Sequence, residues 1–413
     1  MAEPGLICRS CGAPLSTLFV DLGMSPISNA MRSPEQAGQV ERFFPLRTFV
    51  CGACKLVQIE DVASREEHFH GDYTYFSSFS TTWLAHARAY SEMMTKRFAL
   101  GPASLVVEVA SNDGYLLQYF KALGVPVQGV DPAENCAEAA RERGVPTLTR
   151  FFGAELAAEL RAEGRTADLI VANNVLAHVP DINDFVSGFK GVLKPGGVIT
   201  VEFPHLLRLI EANYFDTIYH EHYSYLSLLA VERLFARHGL EVFDLEELAT
   251  HGGSLRLFAG HAGGHLGPSA ALTAFRSREA KAGFDDLGAY AAFADKVRAS
   301  KRALLELLIR IKNDGASIVA YGAPAKGNTL LNYCGIRTDF IDYAVDANPV
   351  KQGQLLPGTG IEVFAPARIF ETRPDYVLIL PWNLKDEITG QMAAIKGWGG
   401  RFILPLPKPV VLE

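Results

Sequence analysis

The sequence predicts an α/β protein in which a small cysteine-clamped module precedes two Rossmann-like α/β domains. Three observations predict this. Two CxxC pairs, Cys8/Cys11 and Cys51/Cys54, lie in a turn-rich stretch over residues 1–74. From residue 83 short apolar strands alternate with helices, the pattern of a parallel sheet covered on both faces. After a Gly-rich stretch at 262–269 and a long helical region, a second strand–loop–helix run begins near residue 317. The expected boundaries are 1–74 for the module, 75–265 for the central domain and 266–413 for the C-terminal domain.

Bulk properties narrow the function. A chain of 413 residues exceeds one core, since domains run to about 100–200 residues. With 48% hydrophobic and 21% charged residues the composition is that of a globular protein. A net charge of −7 argues against nucleic acid as a partner, which needs a dense positive field. No stretch approaches the ~20 apolar residues of a membrane span. The start of the chain lacks the basic and apolar regions of a signal peptide, so a cytoplasmic location is expected.

In such a compartment, paired cysteines read as metal ligands and not as disulfides. A two-residue gap lets both sulfurs of a knuckle reach one ion at about 2.3 Å, and four thiolates close a tetrahedral shell with no open position. Cys8, Cys11, Cys51 and Cys54 are therefore expected to hold a structural Zn2+. The hydrophobic pattern of the module is too broken for a large core, and a metal staple is what such a unit needs.

In the central domain, helices are expected over 83–98, 115–123, 133–143, 154–163 and 184–193, and strands over 105–110, 127–130, 168–172 and 198–203. A helix over 230–238 and two alternating strands, 241–248 and 254–260, joined at His251-Gly252-Gly253, give the sheet an antiparallel end. The segment Val106-Val107-Glu108-Val109-Ala110-Ser111-Asn112-Asp113-Gly114 follows a strand and opens a helix, the place where a doubly wound sheet binds its cofactor. Ala110 and Asn112 stand where GxGxxG has its first glycines, and Gly114 remains. Small residues let the loop backbone approach a ligand, and Asn and Asp tolerate unusual turn conformations. Gly129-Val130-Asp131-Pro132 then ends the second strand with a carboxylate able to accept from both hydroxyls of a ribose. Asp168 to Asn173-Asn174 and Leu193-Lys194-Pro195-Gly196-Gly197 complete an ordered set at class I methyltransferase spacing. The expected cofactor is S-adenosylmethionine (SAM), bound by Glu108, Ala110, Asn112, Asp113, Gly114, Asp131, Pro132, Asn173 and Asn174. A nicotinamide dinucleotide would call for three glycines against its pyrophosphate.

Tyr219-His220-Glu221-His222-Tyr223 is the densest group of titratable and aromatic residues. It reads as a surface patch, as an HxH metal pair without an obvious third ligand, or as acid–base machinery, histidine titrating near working pH. Its place after the fifth strand of the sheet, over the SAM methyl, favours the last. Further on, the expected elements are a helical region over 275–313 broken once, strands 317–321, 340–345, 376–380 and 401–404, and helices 328–334 and 384–395. The loop 322–327 before a helix, with Lys326, suits an anion.

Taken together, the CxxC pairs, Asp72-Tyr73-Thr74-Tyr75-Phe76-Ser77-Ser78, the 108–114 loop, the 215–222 segment, Tyr321-Gly322-Ala323-Pro324-Ala325-Lys326-Gly327-Asn328-Thr329, Asp346 to Gly353 and Leu380-Pro381-Trp382-Asn383 resemble the SAM-dependent sugar C-methyltransferases acting on nucleotide-linked 4-keto-deoxyhexoses. The resemblance covers essentially the whole chain. It implies a C-terminal domain that helps hold a nucleotide-linked keto-deoxysugar, through Ser77, Ala323, Lys326, Asn328, Lys351 and Asn383. It also implies a general base at His222, with Tyr219, Glu221, His178 and Tyr75 around it, in a monomeric enzyme methylating C3 through an enolate. An O- or N-methyltransferase of a sugar nucleotide is the alternative.

Overall fold

The computed structural model describes residues 5–62, 76–264 and 267–412. Tyr75, expected in the site, lies outside the described residues. Strands β1 (Thr17–Ser25), β2 (Phe44–Val50) and β3 (Val57–Ile59) come first. Then follow β4 (Val106–Val109), β5 (Val127–Val130), β6 (Thr147–Leu148), β7 (Ala167–Asn173), β8 (Leu193–Pro204), the two-residue β9 (Ser224–Tyr225), β10 (Leu240–Leu248) and β11 (Ser254–His261). The C-terminal domain supplies β12 (Ile318–Tyr321), β13 (Ala344–Val345), β14 (Val363–Phe364), β15 (Tyr376–Ile379), β16 (Arg401–Leu404) and β17 (Val410–Leu412).

The central sheet has the order β10-β11-β8-β7-β4-β5-β6. Its β5, β4, β7 and β8 are parallel, and β11 runs antiparallel to both β8 and β10. All four residues of β4 are buried, as a strand covered on both faces requires. The covering helices follow from their sequence. In Ile182–Val192 the buried Ile182, Phe185, Val186, Phe189 and Val192 fall on one face at helical spacing. The Asp181 carboxylate caps that helix, accepting from the Asp184 N–H at 3.0 Å. The chain leaves β4 for β5 on one side and reaches β7 on the other, so a switch point opens at the carboxyl end of β4. The C-terminal sheet, β14-β13-β12-β15-β16-β17, has the same kind of switch point at β12.

The expected helical region after residue 275 is in fact three helices, Ala270–Lys281, Gly288–Ala291 and Phe293–Asn313. Gly283, at φ 80°, ends the first, and Phe284 then turns inward against Tyr290. The third helix lies on the first module, with Phe293 stacked on Phe19 at 4.5 Å. The module therefore does have a large core, which it shares. Phe19, Val20, Leu46, Val50, Val57 and Ile59 belong to one cluster with the interior of the C-terminal domain.

The first sheet, β1-β2-β3-β9, joins the module to the central domain. Its last strand is the continuation of the Tyr-His-Glu-His segment: Tyr225 pairs with Val57 and Ser224 with Gln58. Among the described residues no helix is long and apolar enough to cross a membrane.

Candidate active site

The four paired cysteines converge. Cys8 Sγ lies 3.5 Å from Cys54 Sγ, Cys11 Sγ lies 3.5 Å from Cys51 Sγ, and all four sulfurs fall within 4.8 Å of one another. A zinc tetrahedron with bonds of about 2.3 Å has edges near 3.8 Å, so the cradle fits the ion. Donors back it: Gln58 Nε2 donates to Cys8 Sγ at 3.1 Å, and the Cys54 N–H to Cys51 Sγ at 3.4 Å. With no open position the metal is structural. Arg9, inside the first knuckle, donates to the Ile59 carbonyl and lies over the Tyr223 ring at 5.1 Å, which ties the zinc cradle to the Tyr-His-Glu-His segment.

At the carboxyl end of β4, Ala110, Asn112 and Gly114 take φ of 58°, 47° and 76°. Each left-handed residue with a Cβ costs about 1–2 kcal/mol, a strain that functional loops hold. Polar atoms are buried here without hydrogen-bond partners: Ser111 Oγ, both amide atoms of Asn173 and Asn174 Oδ1. Glu108 is buried as well, and desolvation raises its pKa well above the carboxylate range, against a smaller effect of the Tyr115 hydroxyl. Such a cluster of unanswered groups is the imprint of a polar ligand, and it fits SAM. Asp131 Oδ2 accepts from the Asn112 N–H at 2.8 Å and Oδ1 from the Ala133 N–H at 2.9 Å, so each oxygen keeps a lone pair for a ribose. Burial raises its pKa. Pro132 is half-buried beside it. Asn173 ends β7, and Asn174, at φ 54°, donates its N–H to the Glu202 carbonyl at 2.7 Å. Asp113 points away, into an ion pair with Arg143 at 2.7 Å.

The imidazoles lie close by. His222 is flanked by Tyr219, whose hydroxyl is 2.7 Å from Nε2, and its ring centre is 4.6 Å from that of His178. His222 Nδ1 is 2.8 Å from the Thr217 carbonyl. A carbonyl only accepts, so Nδ1 carries the proton and Nε2 holds the lone pair, to which the Tyr219 hydroxyl donates. His178 Nδ1 is bound in the same way by the Glu221 carbonyl at 2.8 Å. Desolvation holds the His222 pKa well below 6.5, helped by His178 and His251. An uncharged imidazole with a fixed lone pair is able to take a proton at neutral pH.

Other expected residues sit differently. The Glu221 carboxylate faces the first module and accepts from Asn29 Nδ2 at 2.8 Å on both oxygens. Burial pushes its pKa up to about 7, opposed by Asn29 and Lys351. Its backbone carbonyl meets the His178 imidazole. His220 Nε2 donates to the Pro45 carbonyl at 3.0 Å, on the module side. Ser77 donates its N–H to Asn112 Oδ1 at 2.8 Å, which places it on the SAM loop. Asn328 Nδ2 donates to the Ser28 carbonyl at 2.7 Å and binds the module to the C-terminal domain.

After β12 the Ala323 N–H donates to Asp346 Oδ2 at 2.7 Å, and the Asn348 N–H to Asp346 Oδ1 at 2.8 Å. This repeats the Asp131 arrangement at the second switch point. Lys351 Nζ donates to the Ala323 carbonyl at 2.8 Å. Lys326 lies 4.4 Å over the Trp382 ring and donates to Asn383. Trp382 Nε1 donates to buried Asp216 at 2.7 Å, and the Trp382 ring stacks on Tyr214 at 3.9 Å. Burial raises the Asp216 carboxyl to about 6, with Lys326 opposing. Asn29, Asp216 and this use of Trp382 escape a reading of the sequence, because their partners lie in other domains.

Comparison with known proteins accords with this layout. Residues 8–69 match a zinc binding domain, 83–245 a methyltransferase domain and 249–407 the C-methyltransferase C-terminal domain. The C-methyltransferase NovU of Streptomyces niveus is 36% identical over 406 residues, 98% of this chain and 96% of NovU. A ubiquinone biosynthesis O-methyltransferase of Methylobacterium sp. (strain 4-46) is 32% identical over 128 residues, 29% of this chain and 50% of that protein. The magnesium protoporphyrin IX methyltransferase of Synechocystis PCC 6803 aligns at a TM-score of 0.35 and 15% identity, covering 48% of this chain and 93% of that one.

Two outcomes follow. Metal analysis should find about one zinc per chain, lost in Cys51→Ser together with the ordered first module; well-folded, zinc-free protein contradicts the assignment. Asp131→Ala should weaken SAM binding by calorimetry about 10–100-fold, the range for a hydrogen bond to a charged group. Unchanged affinity would show that the carboxylate does not meet the ribose.

Proposed function

The chain belongs to the SAM-dependent C-methyltransferases, and from that premise we propose that it methylates C3 of a nucleotide-linked 4-keto-deoxyhexose. The observation that carries the proposal is His222, neutral, with Nδ1 committed to the Thr217 carbonyl and Nε2 basic. A ketone at C4 acidifies the proton on C3. His222 Nε2 takes that proton and becomes an imidazolium, and the C–H electron pair delocalises as an enolate. SAM, which Glu108, the 110–114 loop and Asp131 would hold, would supply an electrophilic methyl group to the enolate carbon, the C–S electron pair staying on sulfur. The imidazolium then returns its proton to water.

Tyr219 caps the Nε2 lone pair in the resting site. Turning its hydroxyl to the ketone oxygen uncaps the base and supplies a donor where negative charge develops. Tyr75 is a further donor in this reading, and His178, whose Nδ1–H is given to the Glu221 carbonyl, donates from Nε2 only as an imidazolium. Glu221 acts as a positioning residue, holding His178 through its carbonyl and the module through Asn29. The switch point at β12, with the Ala323–Asp346 clamp, Lys326, Lys351 and Asn383, is where the nucleotide-linked part is proposed to bind. O- or N-methylation, the alternative, gains nothing from a base aimed at carbon, and the relationship to a C-methyltransferase runs through 98% of the chain.

The test is incubation with SAM and dTDP-, GDP- or CDP-linked 4-keto-deoxyhexoses, the product read by NMR. A new methyl on C3 is expected; a methyl on oxygen or nitrogen overturns the reaction class, and one on another carbon overturns the regiochemistry. His222→Ala should cut kcat by about 10²–10⁴ while SAM still binds. The base works deprotonated, and its pKa is held below 6.5, so the acid limb of wild-type kcat/KM should fall below pH 6.5. A limb above that pH would assign the proton transfer to another group.

A further inference from the structure

The turn between β10 and β11 carries an imidazole that the mechanism above does not use. His251 stands at φ 53°, ψ 23°, and is followed by Gly252 at φ 86° and Gly253 at φ 129°. A left-handed histidine persists only where its surroundings hold it, and such strain gathers at ligand sites. Both domains hold this one. On the SAM side, Thr250 Oγ1 donates to Glu202 Oε1 at 3.1 Å, and the Gly253 N–H closes the turn on the Thr250 carbonyl at 2.9 Å. On the other side, a Cβ on Gly252 would lie 2.8 Å from the Trp382 ring and 3.0 Å from Tyr214. The turn is thus wedged between the two Rossmann-like domains, against the tryptophan that also carries Lys326.

His251 is exposed, and its ring lies edge-on to Trp83 at 5.8 Å and 63°. Among the described residues no hydrogen bond engages its nitrogens. It lies within electrostatic reach of Lys326, Glu202 and His86, and of His222. It therefore lies near both the proposed base and the lysine proposed to meet phosphate. A neutral imidazole offers one donor and one acceptor. That pairing suits a hydroxyl.

We propose that His251 binds the substrate, its imidazole hydrogen-bonding an oxygen substituent of the sugar ring between the reacting carbon at His222 and the phosphate at Lys326. The proposal rests on the substrate reading given above. It accounts for a strained histidine where Asn or Gly would form the turn more easily: the turn exists to present the ring.

Backbone conformation and side-chain chemistry separate cleanly here. His251→Gly relieves the strain and deletes the imidazole, and His251→Asn keeps left-handed tolerance and a polar group. With whichever dTDP-, GDP- or CDP-linked 4-keto-deoxyhexose the wild type methylates, His251→Gly should keep or raise Tm. Its kcat/KM should fall about 10–100-fold, mainly through KM, while SAM Kd stays within about twofold. His251→Asn should recover part of the loss, and added imidazole part of that in His251→Gly. Wild-type kcat/KM in His251→Gly overturns the inference, as does a loss that appears in SAM Kd instead. If His222→Ala is then still impaired on the same sugar, the functional reading stands without His251. A wild type inert on all three nucleotide classes overturns both.

Discussion

The hydrogen bond from His222 Nδ1 to the Thr217 carbonyl decides which nitrogen of that ring is basic, and much of the fold serves the short loop between those two residues. Upstream, Phe215 is fully buried and Asp216 is tied to Trp382 of the C-terminal domain, so the carbonyl of Thr217 has a fixed direction. Thr329 Oγ1 adds a bond to the Ile218 carbonyl at 2.9 Å. Downstream, the Ile59 N–H donates to the Tyr223 carbonyl, and β9 enters the sheet of the first module. The segment from Asp216 to Tyr225 is thus held by the C-terminal domain at one end and by the first module at the other. A general base gains rate from position as much as from pKa, which gives this construction a physical purpose.

Seen this way, the zinc is structural in its chemistry and functional in its consequence. The ion closes the knuckle that carries Arg9, and Arg9 reaches both Ile59 and the face of Tyr223, next to the proposed base. The module shares a core with the helix Phe293–Asn313. It also supplies Asn29 to Glu221. The central and C-terminal domains, for their part, use one device twice: an aspartate after the second strand accepting N–H bonds from the loop after the first, at Asp131 and at Asp346. The device fixes a loop backbone while leaving carboxylate lone pairs toward the crevice.

How far this was legible in the sequence depended on how local each feature is. Parallel strands are continuous apolar runs bounded by helices, and Val127–Val130 and Arg401–Leu404 fall where that pattern puts them. The strands of the first module are not legible. In β1 the register shifts between Leu18 and Val20 and again between Asp21 and Met24, which breaks the period of two, and β9 has only two residues. The zinc ligands and the SAM loop each sit in short segments whose residue types carry the chemistry. The 219–223 segment announces itself by composition, yet only tertiary contacts send His220 to Pro45 and His222 to Thr217. Asn29 has no local signature, and Asp216 and Trp382, though they sit in recognisable segments, have roles defined by a partner in another domain.

The central claim is that these domains converge to hold one basic nitrogen against a carbon of the sugar. The most direct measurement is a crystal structure of the full chain with S-adenosylhomocysteine and the nucleotide-linked keto-sugar that it methylates. The account predicts C3 within about 3–3.5 Å of His222 Nε2, on the side facing the sulfur, with the nucleotide at the carboxyl end of β12. A sugar oxygen or nitrogen facing the sulfur, or a C3 that no part of His222 approaches, would contradict it.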